Sequence, residues 1–208
     1  MNTGEGSLRD KWIRLLRPFP VYLLFTGNLT NGDINVMALS WVTPISERPP
    51  IVGIVVEKRN FSYKLLKKYS WFTLAVTSKK DAELVKYVGT WSKREIDKIS
   101  TTGIELEAWE RDPRVPVPRG FPAILVFRVI REVDFDISEL FVGRLEYLRV
   151  DKTYFNPDLS WAATEAPLMH LSKHWFVLPG ERIGPILWTP WGVAVKRQWR
   201  NKLKINDK

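Results

Sequence analysis

Hydrophobic residues recur along this chain in short runs separated by turn-forming residues, a pattern typical of β-structure. The first run, residues 21–26, is rich in strand-forming side chains, and an Asn31-Gly32 pair follows it. Asn-Gly is the strongest short signal for a tight hairpin turn. The chain then enters residues 35–41, where polar side chains interrupt an apolar pattern. We therefore predict a β-hairpin.

Residues 51–76 predict two more strands with a helix between them. Residues 51–56 are dominated by β-branched side chains and are bounded by turn signals, which favours a buried strand over a helix. Phe61, Leu65 and Tyr69 then recur at helical spacing and predict a short amphipathic helix. Residues 71–76 return to strand-forming side chains.

Two capping signals predict helices in the middle of the chain. Ser78 stands three residues before Asp81, and Ser92 stands three residues before Glu95. This is the spacing of the capping box at helix starts. We predict one helix after Ser78 that ends at Gly89, and a short one after Ser92.

The remaining pattern predicts loops and long strands. Residues 43–50 and 101–119 are rich in proline and are predicted to be irregular. Residues 124–133 and 140–150 are predicted to be long strands. The chain is therefore mainly β, a barrel with a few helices outside it. We divide it into an N-terminal extension (1–16), a barrel (17–150), and a C-terminal extension (151–208) that packs on the barrel or on a dimer partner.

The composition is that of a folded chain without cysteine chemistry. Of 208 residues, 45% are hydrophobic and none is cysteine, which excludes disulfides, a thiol nucleophile and thiolate metal ligands. No apolar run approaches the roughly 20 residues needed to cross a bilayer, and the polar first ten residues lack a secretory signal. We expect a cytoplasmic protein without a membrane partner. Abundant lysine and glutamate, with Gln198 as the single glutamine, are compatible with a thermophile as the source.

The formal charge of +9 raises the alternative of a module that binds nucleic acid or another anionic partner. More than half of the surplus lies in residues 193–208, which carry six basic residues and one acid. A solvated, charged tail explains such a cluster. Trp191 and Trp199 bracket it, however, and leave a phosphate-binding surface open. We rank nucleic acid as a partner below the ligand described next.

The two histidines, His170 and His174, raise the alternative of a metal site. On a helix, residues four apart share one face and could supply half of a ligand set. No glutamate lies between them in an H-E-x-x-H arrangement, and Pro167 and Pro179 confine any helix. We favour ordinary packing of both histidines and expect no metal.

The second strand of the predicted hairpin and the loop before the first helix suit a ligand with a flat ring and a phosphate. Asn35 and Ser40 offer small hydrogen-bonding groups, and Met37 and Trp41 offer soft or flat apolar surface. Arg59 offers a fixed fork of donors, and the N-terminus of the following helix adds a favourable dipole for an anion.

Six marks stand in a fixed order along the chain. They are Arg17-Pro18, the Asn-x-Met-x-x-Ser-Trp pattern of residues 35–41, Pro49-Pro50, Arg59-Asn60-x-Ser62-Tyr63, Gly89-Thr90-Trp91-Ser92-x-x-x-x-Asp97-Lys98, and Phe141-Val142-Gly143. Together they resemble the flavin reductase-like family, which includes flavoredoxin-like proteins. The resemblance implies an antiparallel, Greek-key type, FMN-binding split β-barrel. It also implies a homodimer with FMN near the subunit interface.

The resemblance implies a cofactor site, with the phosphate held by one group of residues, the isoalloxazine edge by backbone groups, and the walls by aromatic rings. The phosphate group comprises Ser40, Arg59, Asn60 and Lys98; the ring edge comprises Val36, Met37 and Ala38; the walls comprise Trp41, Tyr63 and Trp91. Asn35, Glu57, Ser62 and Ser92 complete the implied cofactor-binding set.

One departure from the family concerns the electron donor. Family members that reduce free flavin with a nicotinamide often carry Gly-Asp-His before the Phe-Val-Gly strand, and that histidine position falls on Ser138 here. The departure bears on the nicotinamide-dependent reaction and not on FMN binding.

The resemblance and the departure at Ser138 together leave two functions open. The first is a flavoprotein that passes reducing equivalents from NAD(P)H, or from a protein donor, through FMN to an acceptor. The second is an FMN-binding electron carrier without nicotinamide turnover. Flavin chemistry needs no acid or nucleophile from the protein, so no catalytic residue is assigned.

Overall fold

Strands dominate the structure, as the hydrophobic pattern predicts. The computed structural model describes residues 8–172, 175–180, 187–189 and 192–194, and the chain divides into two units, residues 1–178 and 179–208. The strands are β1 (Phe19–Pro20), β2 (Tyr22–Asn28), β3 (Asp33–Leu39), β4 (Val42–Ser46), β5 (Ile51–Glu57), β6 (Trp71–Val76), β7 (Leu106–Trp109), β8 (Asp112–Pro118), β9 (Ala123–Phe135), β10 (Ser138–Val150), β11 (Met169–Ser172), β12 (Trp175–Val177), β13 (Leu187–Thr189) and β14 (Gly192–Ala194). The α-helices are α1 (Phe61–Tyr69), α2 (Ala82–Thr90) and α3 (Lys98–Thr102), and short 3-10 segments cover Leu8–Leu16, Leu29–Asn31 and Lys79–Asp81.

Seven strands of the first unit form one antiparallel sheet in the order β3-β2-β6-β9-β10-β5-β4. β2 and β3 are the predicted hairpin, and Gly32 takes a left-handed conformation (φ 74°) in its turn. β9 and β10 are 13 residues long, and their register shifts twice, between Val142 and Gly143 and between Leu145 and Tyr147. Such bulges increase local bend and twist. They therefore help this long pair to curve.

The central strands are buried on both faces, because apolar residues occupy both sides of the strand alternation. In β2, Leu23 and Phe25 belong to one core and Leu24 belongs to the other. Side chains from α2 and from the β7–β8 hairpin complete the first core, and Leu66 of α1 joins the second. The two helices thus lie against different cores, and each presents one end toward the site described below.

The strand–helix–strand prediction for residues 51–76 is confirmed by β5, α1 and β6. The capping box at Ser78 and Asp81 is also confirmed, since the Ser78 amide donates to Asp81 Oδ2 at 2.8 Å. The helix α2 that follows continues one residue past Gly89. The predicted boundary at residue 150 and the packing role of residues 151–208 stay predictions. β11 and β12 of that segment form a three-stranded sheet with β1.

Both proline-rich loop predictions are wrong for a large part of their range, although residues 47–50 and 103–105 lie outside helices and strands as predicted. Residues 42–46 form β4, the last strand of the large sheet, although they include Pro44. Residues 106–118 form the β7–β8 hairpin, with Pro113, Pro116 and Pro118 in β8. Proline is tolerated where a strand has a free edge, because the missing N–H then leaves no partner unsatisfied. A side-chain bond from Thr73 Oγ1 to the Pro116 carbonyl oxygen, at 2.8 Å, ties β8 to the large sheet.

Two local boundaries also differ from prediction. Ser92 and Glu95 close a turn in which the Ser92 amide donates to Glu95 Oε2 at 2.9 Å, and no helix starts there. α3 starts later, after Asp97, whose carboxylate accepts a bond from the Ile99 amide at 3.2 Å. The predicted strand 35–41 ends at Leu39, so that Ser40 and Trp41 lie beyond it.

Candidate functional site

A cavity of about 580 Å³ lies where β3, the β5–α1 connection, α2 and the β11–β12 pair meet. Its volume is within the range of small-molecule and cofactor pockets. The lining residues are Arg17, Val21, Met37, Ala38, Leu39, Ser40, Trp41, Val55, Glu57, Arg59, Asn60, Val85, Lys86, Gly89, Thr90, His170 and Phe176. Apolar side chains and cations therefore share one surface.

Backbone hydrogen bonds hold the first wall together. The Val55 amide of β5 donates to the Trp41 carbonyl oxygen at 3.0 Å, so the segment after β3 is fixed beside β5. Two residues further along, the Asn60 amide donates to the Glu57 carbonyl oxygen at 2.9 Å and turns the chain into α1. Ser40, Glu57 and Asn60 are thus placed on the same cavity by main-chain geometry rather than by flexible side chains.

The start of α1 is suited to an anion. Asn60 is the N-cap residue, and its side chain makes no capping bond to the helix. Unpaired amides and the dipole at a helix N-terminus favour negative charge. Arg59 stands beside them with its side chain 83% exposed and its Nε paired with the Glu57 carboxylate. The ion pair holds Arg59 at the cavity through Nε, which leaves both terminal nitrogens of the fork for an incoming anion.

The second wall is α2, which approaches β3 closely. A Cβ placed on Gly89 would lie 3.3 Å from the Ala38 Cβ, a tighter contact than side chains normally make. Val85, one turn earlier, is buried in the first core and also reaches the cavity. Glycine at position 89 therefore keeps open the space between α2 and the end of β3.

The third wall comes from parts of the chain that are distant in sequence. Arg17, just before β1, donates from Nη1 to the Leu171 carbonyl oxygen of β11 at 3.3 Å. His170 of β11 packs against Phe176 of β12, with ring centroids 5.7 Å apart. Pairing of β1 with β11 brings these side chains together across more than 150 residues of sequence.

The structure brings half of the residues predicted from sequence to the cavity and leaves the other half outside its lining. The lining contains Met37, Ala38, Ser40, Trp41, Glu57, Arg59 and Asn60. The others are Asn35, Val36, Ser62, Tyr63, Trp91, Ser92 and Lys98. Their roles toward a cofactor stay predictions, and the surroundings of most of them suggest support of the walls rather than contact.

The polar members of the second group bond within the protein. Asn35 Nδ2 donates to Ser62 Oγ at 2.8 Å, and both residues are buried. Tyr63 Oη donates to Glu139 Oε2 at 2.8 Å. Trp91 and Ser92 follow directly after α2, with Trp91 43% exposed. Val36, the apolar member, belongs to the first core.

Lys98 is the most unusual residue of the predicted phosphate group. Its side chain is buried, and Nζ donates to the Val88 carbonyl oxygen near the end of α2 at 3.4 Å. Desolvation of the charged form, with a smaller contribution from the nearby charge of Lys93, lowers the pKa of Lys98 to about 8. Lys98, whose charge is costly to bury, therefore lies beneath α2 and outside the cavity lining.

Sequence reasoning missed most of the residues on the second and third walls. From sequence, Arg17 is only one of the marks of the family resemblance. No role at the site is predicted for Lys86, Thr90, His170 or Phe176. For α2 a signal existed, because Val85 and Gly89 lie one turn apart on the same face of an amphipathic helix. For β11 and β12 no local signal exists, since their position depends on pairing with β1.

The metal alternative is not supported at His170, which lies in strand β11 rather than on a helix. His174 lies outside the described residues. Within the described ranges, no three histidine or acidic side chains form a group able to hold a metal ion.

Over those same ranges, no helix is long and apolar enough to span a bilayer. The side chains of the basic segment 193–208 also lie outside the part of the chain that the structure describes.

Comparison with known sequences identifies the family. The model of the flavin reductase like domain matches residues 16–175. An uncharacterised protein of Pyrococcus abyssi is 33% identical over 132 residues, which cover 64% of this chain and 74% of that protein. An uncharacterised protein of Archaeoglobus fulgidus is 28% identical over 183 residues, which cover 83% of this chain and 96% of that protein.

Solved structures share the fold at low sequence identity. An FMN-binding protein from Thermus thermophilus with bound 1-cyclohex-2-enone matches with a TM-score of 0.75 at 20% identity, over 89% of this chain and 99% of that one. Flavoredoxin of Desulfovibrio vulgaris matches with a TM-score of 0.70 at 19% identity, over 88% and 96%. An NADH:FAD oxidoreductase of Streptomyces globisporus matches with a TM-score of 0.65 at 16% identity, over 89% and 99%.

The curved antiparallel sheet and these structural likenesses define an antiparallel split β-barrel, which confirms the fold class predicted from the sequence. Within that class, the family model covers more than half of the chain. The chain therefore belongs to the flavin reductase-like family, and the resemblance inferred from the six sequence marks is confirmed.

Proposed function

We propose that this chain binds FMN non-covalently in the described cavity and passes reducing equivalents from NAD(P)H, or from a protein donor, to an acceptor. The observation that carries the proposal is the combination of an apolar cavity with a helix N-terminus and an exposed arginine fork on one wall. A planar ring needs the apolar surface, and a phosphate needs charge-assisted donors.

The residues present fit FMN. In this proposal Arg59, Asn60 and Ser40 hold the phosphate, because they cluster on the wall where β5 turns into α1. Met37 and Ala38, at the end of β3, line the ring edge. The remaining apolar surface, including Val55 and Val85, excludes water from the ring.

Bound FMN would supply the capacity to accept and release reducing equivalents, and the chain would bind, orient and shield it. Glu57 keeps the Arg59 fork in place through its ion pair. Backbone bonds from Asn60 to Glu57 and from Val55 to Trp41 hold the wall in one geometry before the ligand arrives. Such preorganisation reduces the ordering cost of binding. The proposal names FMN rather than FAD because the phosphate wall suits a single terminal phosphate.

A second copy of the chain is part of the proposal. Trp41 and Trp91 are 48% and 43% exposed, and Trp41 lies on the cavity itself. Large exposed aromatic side chains beside a cofactor site are typical of an interface. A homodimer that covers both tryptophans would close the cavity. Sedimentation of the FMN-loaded protein tests this, and a monomer at micromolar concentration would contradict it.

The Arg59→Ala variant tests the FMN assignment. Loss of a charge-assisted contact should weaken FMN binding by about 1.5–3 kcal/mol, roughly 10- to 150-fold. Riboflavin, which lacks the phosphate, should bind wild type and Arg59→Ala alike. The measurement is quenching of flavin fluorescence on titration of the apoprotein. Equal loss for both flavins would mean that Arg59 acts on the ring or on the fold. A wild-type protein that binds neither flavin would refute the proposed function.

The alternative of an FMN-binding electron carrier without nicotinamide turnover has one structural observation in its favour. Ser138, where related proteins carry a histidine, pairs in register with Glu57 of β5, which lines the cavity. The missing imidazole therefore falls beside the proposed site. Steady oxidation of NADH or NADPH with excess FMN would exclude the carrier function. Absence of turnover with a reducible bound FMN would support it.

A further inference from the structure

Arg17 is the one arginine of the cavity lining whose charge no side chain of the described residues neutralises. Its Nε is buried and has no hydrogen-bond partner among them, and Nη1 donates to the Leu171 carbonyl oxygen at 3.3 Å. Within the described residues, Glu57 is the single carboxylate on the cavity lining, and it is paired with Arg59. A buried charged donor without an acceptor is costly. Its retention on a cavity wall therefore indicates that a ligand supplies the acceptor.

The rest of the described cavity lining adds positive rather than negative charge. Lys86 of α2 lines the same cavity, and apart from the paired Glu57 none of the described lining residues is acidic. Arg59 belongs to a different wall, because it follows β5 whereas Arg17 precedes β1 and is tied to β11. The cavity therefore has two cationic positions that are held by different parts of the fold. One phosphate accounts for one of them.

We propose that Arg17 anchors an anionic group, a phosphate or a carboxylate, of a second ligand that shares the cavity with FMN, namely the electron donor or the acceptor. This inference rests on the proposed function. The bond from Nη1 to the Leu171 carbonyl oxygen fixes one edge of the guanidinium, and Nε and the remaining terminal nitrogen can donate two parallel hydrogen bonds to one anionic group. Lys86, an exposed residue of α2, adds a positive charge to the same cavity.

Calorimetric titration of the FMN-loaded protein tests the inference without turnover. NADP⁺ supplies phosphate groups and benzoate supplies a carboxylate, so the two probes separate the possible sources of the anion. We expect wild type to bind at least one of them. Arg17→Gln should weaken that binding at least 10-fold. Arg17→Lys, which keeps the charge and loses the fork, should give a smaller loss. Arg111→Gln, which removes an exposed charge at the β7–β8 turn, should have no effect.

The same variants separate this inference from the proposed function. If Arg17 serves a second ligand, Arg17→Gln binds FMN and riboflavin as wild type does. Loss of FMN but not of riboflavin would assign Arg17 to the FMN phosphate and overturn the inference, while the proposed function would stand. Failure of both probes to bind FMN-loaded wild type, or equal binding by Arg17→Gln, would also overturn it. Should Arg17→Gln not fold, Arg17→Lys carries the test, and unchanged probe binding by that variant would count against the inference.

Discussion

The two helices that border the cavity both pack on an apolar core, but they differ in the polar bonds that hold them. α1 is tied down by polar bonds: Asn35 to Ser62 at 2.8 Å, and a cluster around Glu139. Glu139 is buried, accepts bonds from Tyr63 and Lys67, and sits beside Glu132, which also pairs with Lys67. Burial acts to raise the pKa of Glu139, but the bonds from Lys67 and Tyr63 outweigh it and hold that pKa below its ordinary value. α2, in contrast, presents Val85 and Val88 to an apolar core.

The difference matches what each helix does at the cavity. Directional bonds fix the orientation of a helix, and the N-terminus of α1 must face an anion accurately. Apolar packing fixes distance and shape instead. α2 contributes an apolar surface to the cavity, and the absence of a side chain at Gly89 keeps the space between α2 and β3 open. Unlike α1, α2 presents no helix N-terminus to an anion. If this comparison is right, substitutions on the α2 side should change the space for ligand. Substitutions at the α1 tethers should change stability and ligand affinity together.

The largest effect is expected for Gly89→Leu. A leucine side chain would meet Ala38 and fill the cavity where the ring is proposed to lie. We expect FMN affinity to fall at least 100-fold, about 2.7 kcal/mol. Stability should change by less than about 1 kcal/mol, because the gain from replacing a glycine within a helix opposes the cost of the tight contact with Ala38. Fluorescence titration and urea unfolding measure the two quantities.

Glu83→Leu is the matched control for Gly89→Leu. Glu83 is an exposed residue of α2 outside the cavity lining, so this variant adds the same side chain to the same helix. It should bind FMN as wild type does. Retention of FMN affinity by Gly89→Leu would show that the ligand does not lie against α2.

A smaller effect, on two measurements at once, is expected for Asn35→Ala. The substitution leaves the Ser62 hydroxyl buried without its partner and removes the tether from β3 to the first turn of α1. We expect the free energy of unfolding to fall by about 2 kcal/mol. FMN affinity should fall several-fold because the helix N-terminus loses its fixed position. Urea unfolding and flavin titration again give both numbers.

The Ser62→Ala and double variants isolate the Asn35–Ser62 bond. If the bond is the tether, the two single costs should not add, and the double variant should show a coupling of about 1 kcal/mol. Additive costs would mean that Asn35 acts through packing alone. Loss of stability without any change in FMN affinity would separate α1 from the ligand and break the comparison between the helices.

The end of β3 and the start of α1 could be predicted from sequence as parts of the site, and a signal exists for α2, but β11 and β12 could not be predicted. Arg59 and Asn60 stand between a recognisable strand and a recognisable helix, so local pattern alone places them at a helix N-terminus. Arg17 and Phe176 line the same cavity only because β1 pairs with β11. The hydrophobic periodicity of a strand does not show which other strand it pairs with. Proline misled the fold prediction at β4 and β8, because sequence does not show which strands have a free edge.

The buried cation under α2 is the exception to the comparison, and Lys98→Met is expected to relieve it. Methionine keeps most of the length of the lysine stem without its charge. The pKa of Lys98 is about 8 in the folded chain against an ordinary value of 10.5, so the unfolded chain binds this proton more tightly. Protonated Lys98 therefore costs stability at neutral pH, and we expect Lys98→Met to raise the free energy of unfolding by about 2 kcal/mol at pH 7.

The sign of the pH dependence makes this test specific. For wild type, stability attributable to Lys98 should rise as pH increases from about 8 toward 10.5, because the folded chain releases its proton first. Lys98→Met should lack that rise, and Lys79→Met, which replaces an exposed lysine, should keep it. FMN affinity should not change, since Lys98 is not on the cavity lining. A loss of affinity as large as that of Arg59→Ala would instead place Lys98 at the phosphate, and α2 would then contribute a charged donor to the site as α1 does.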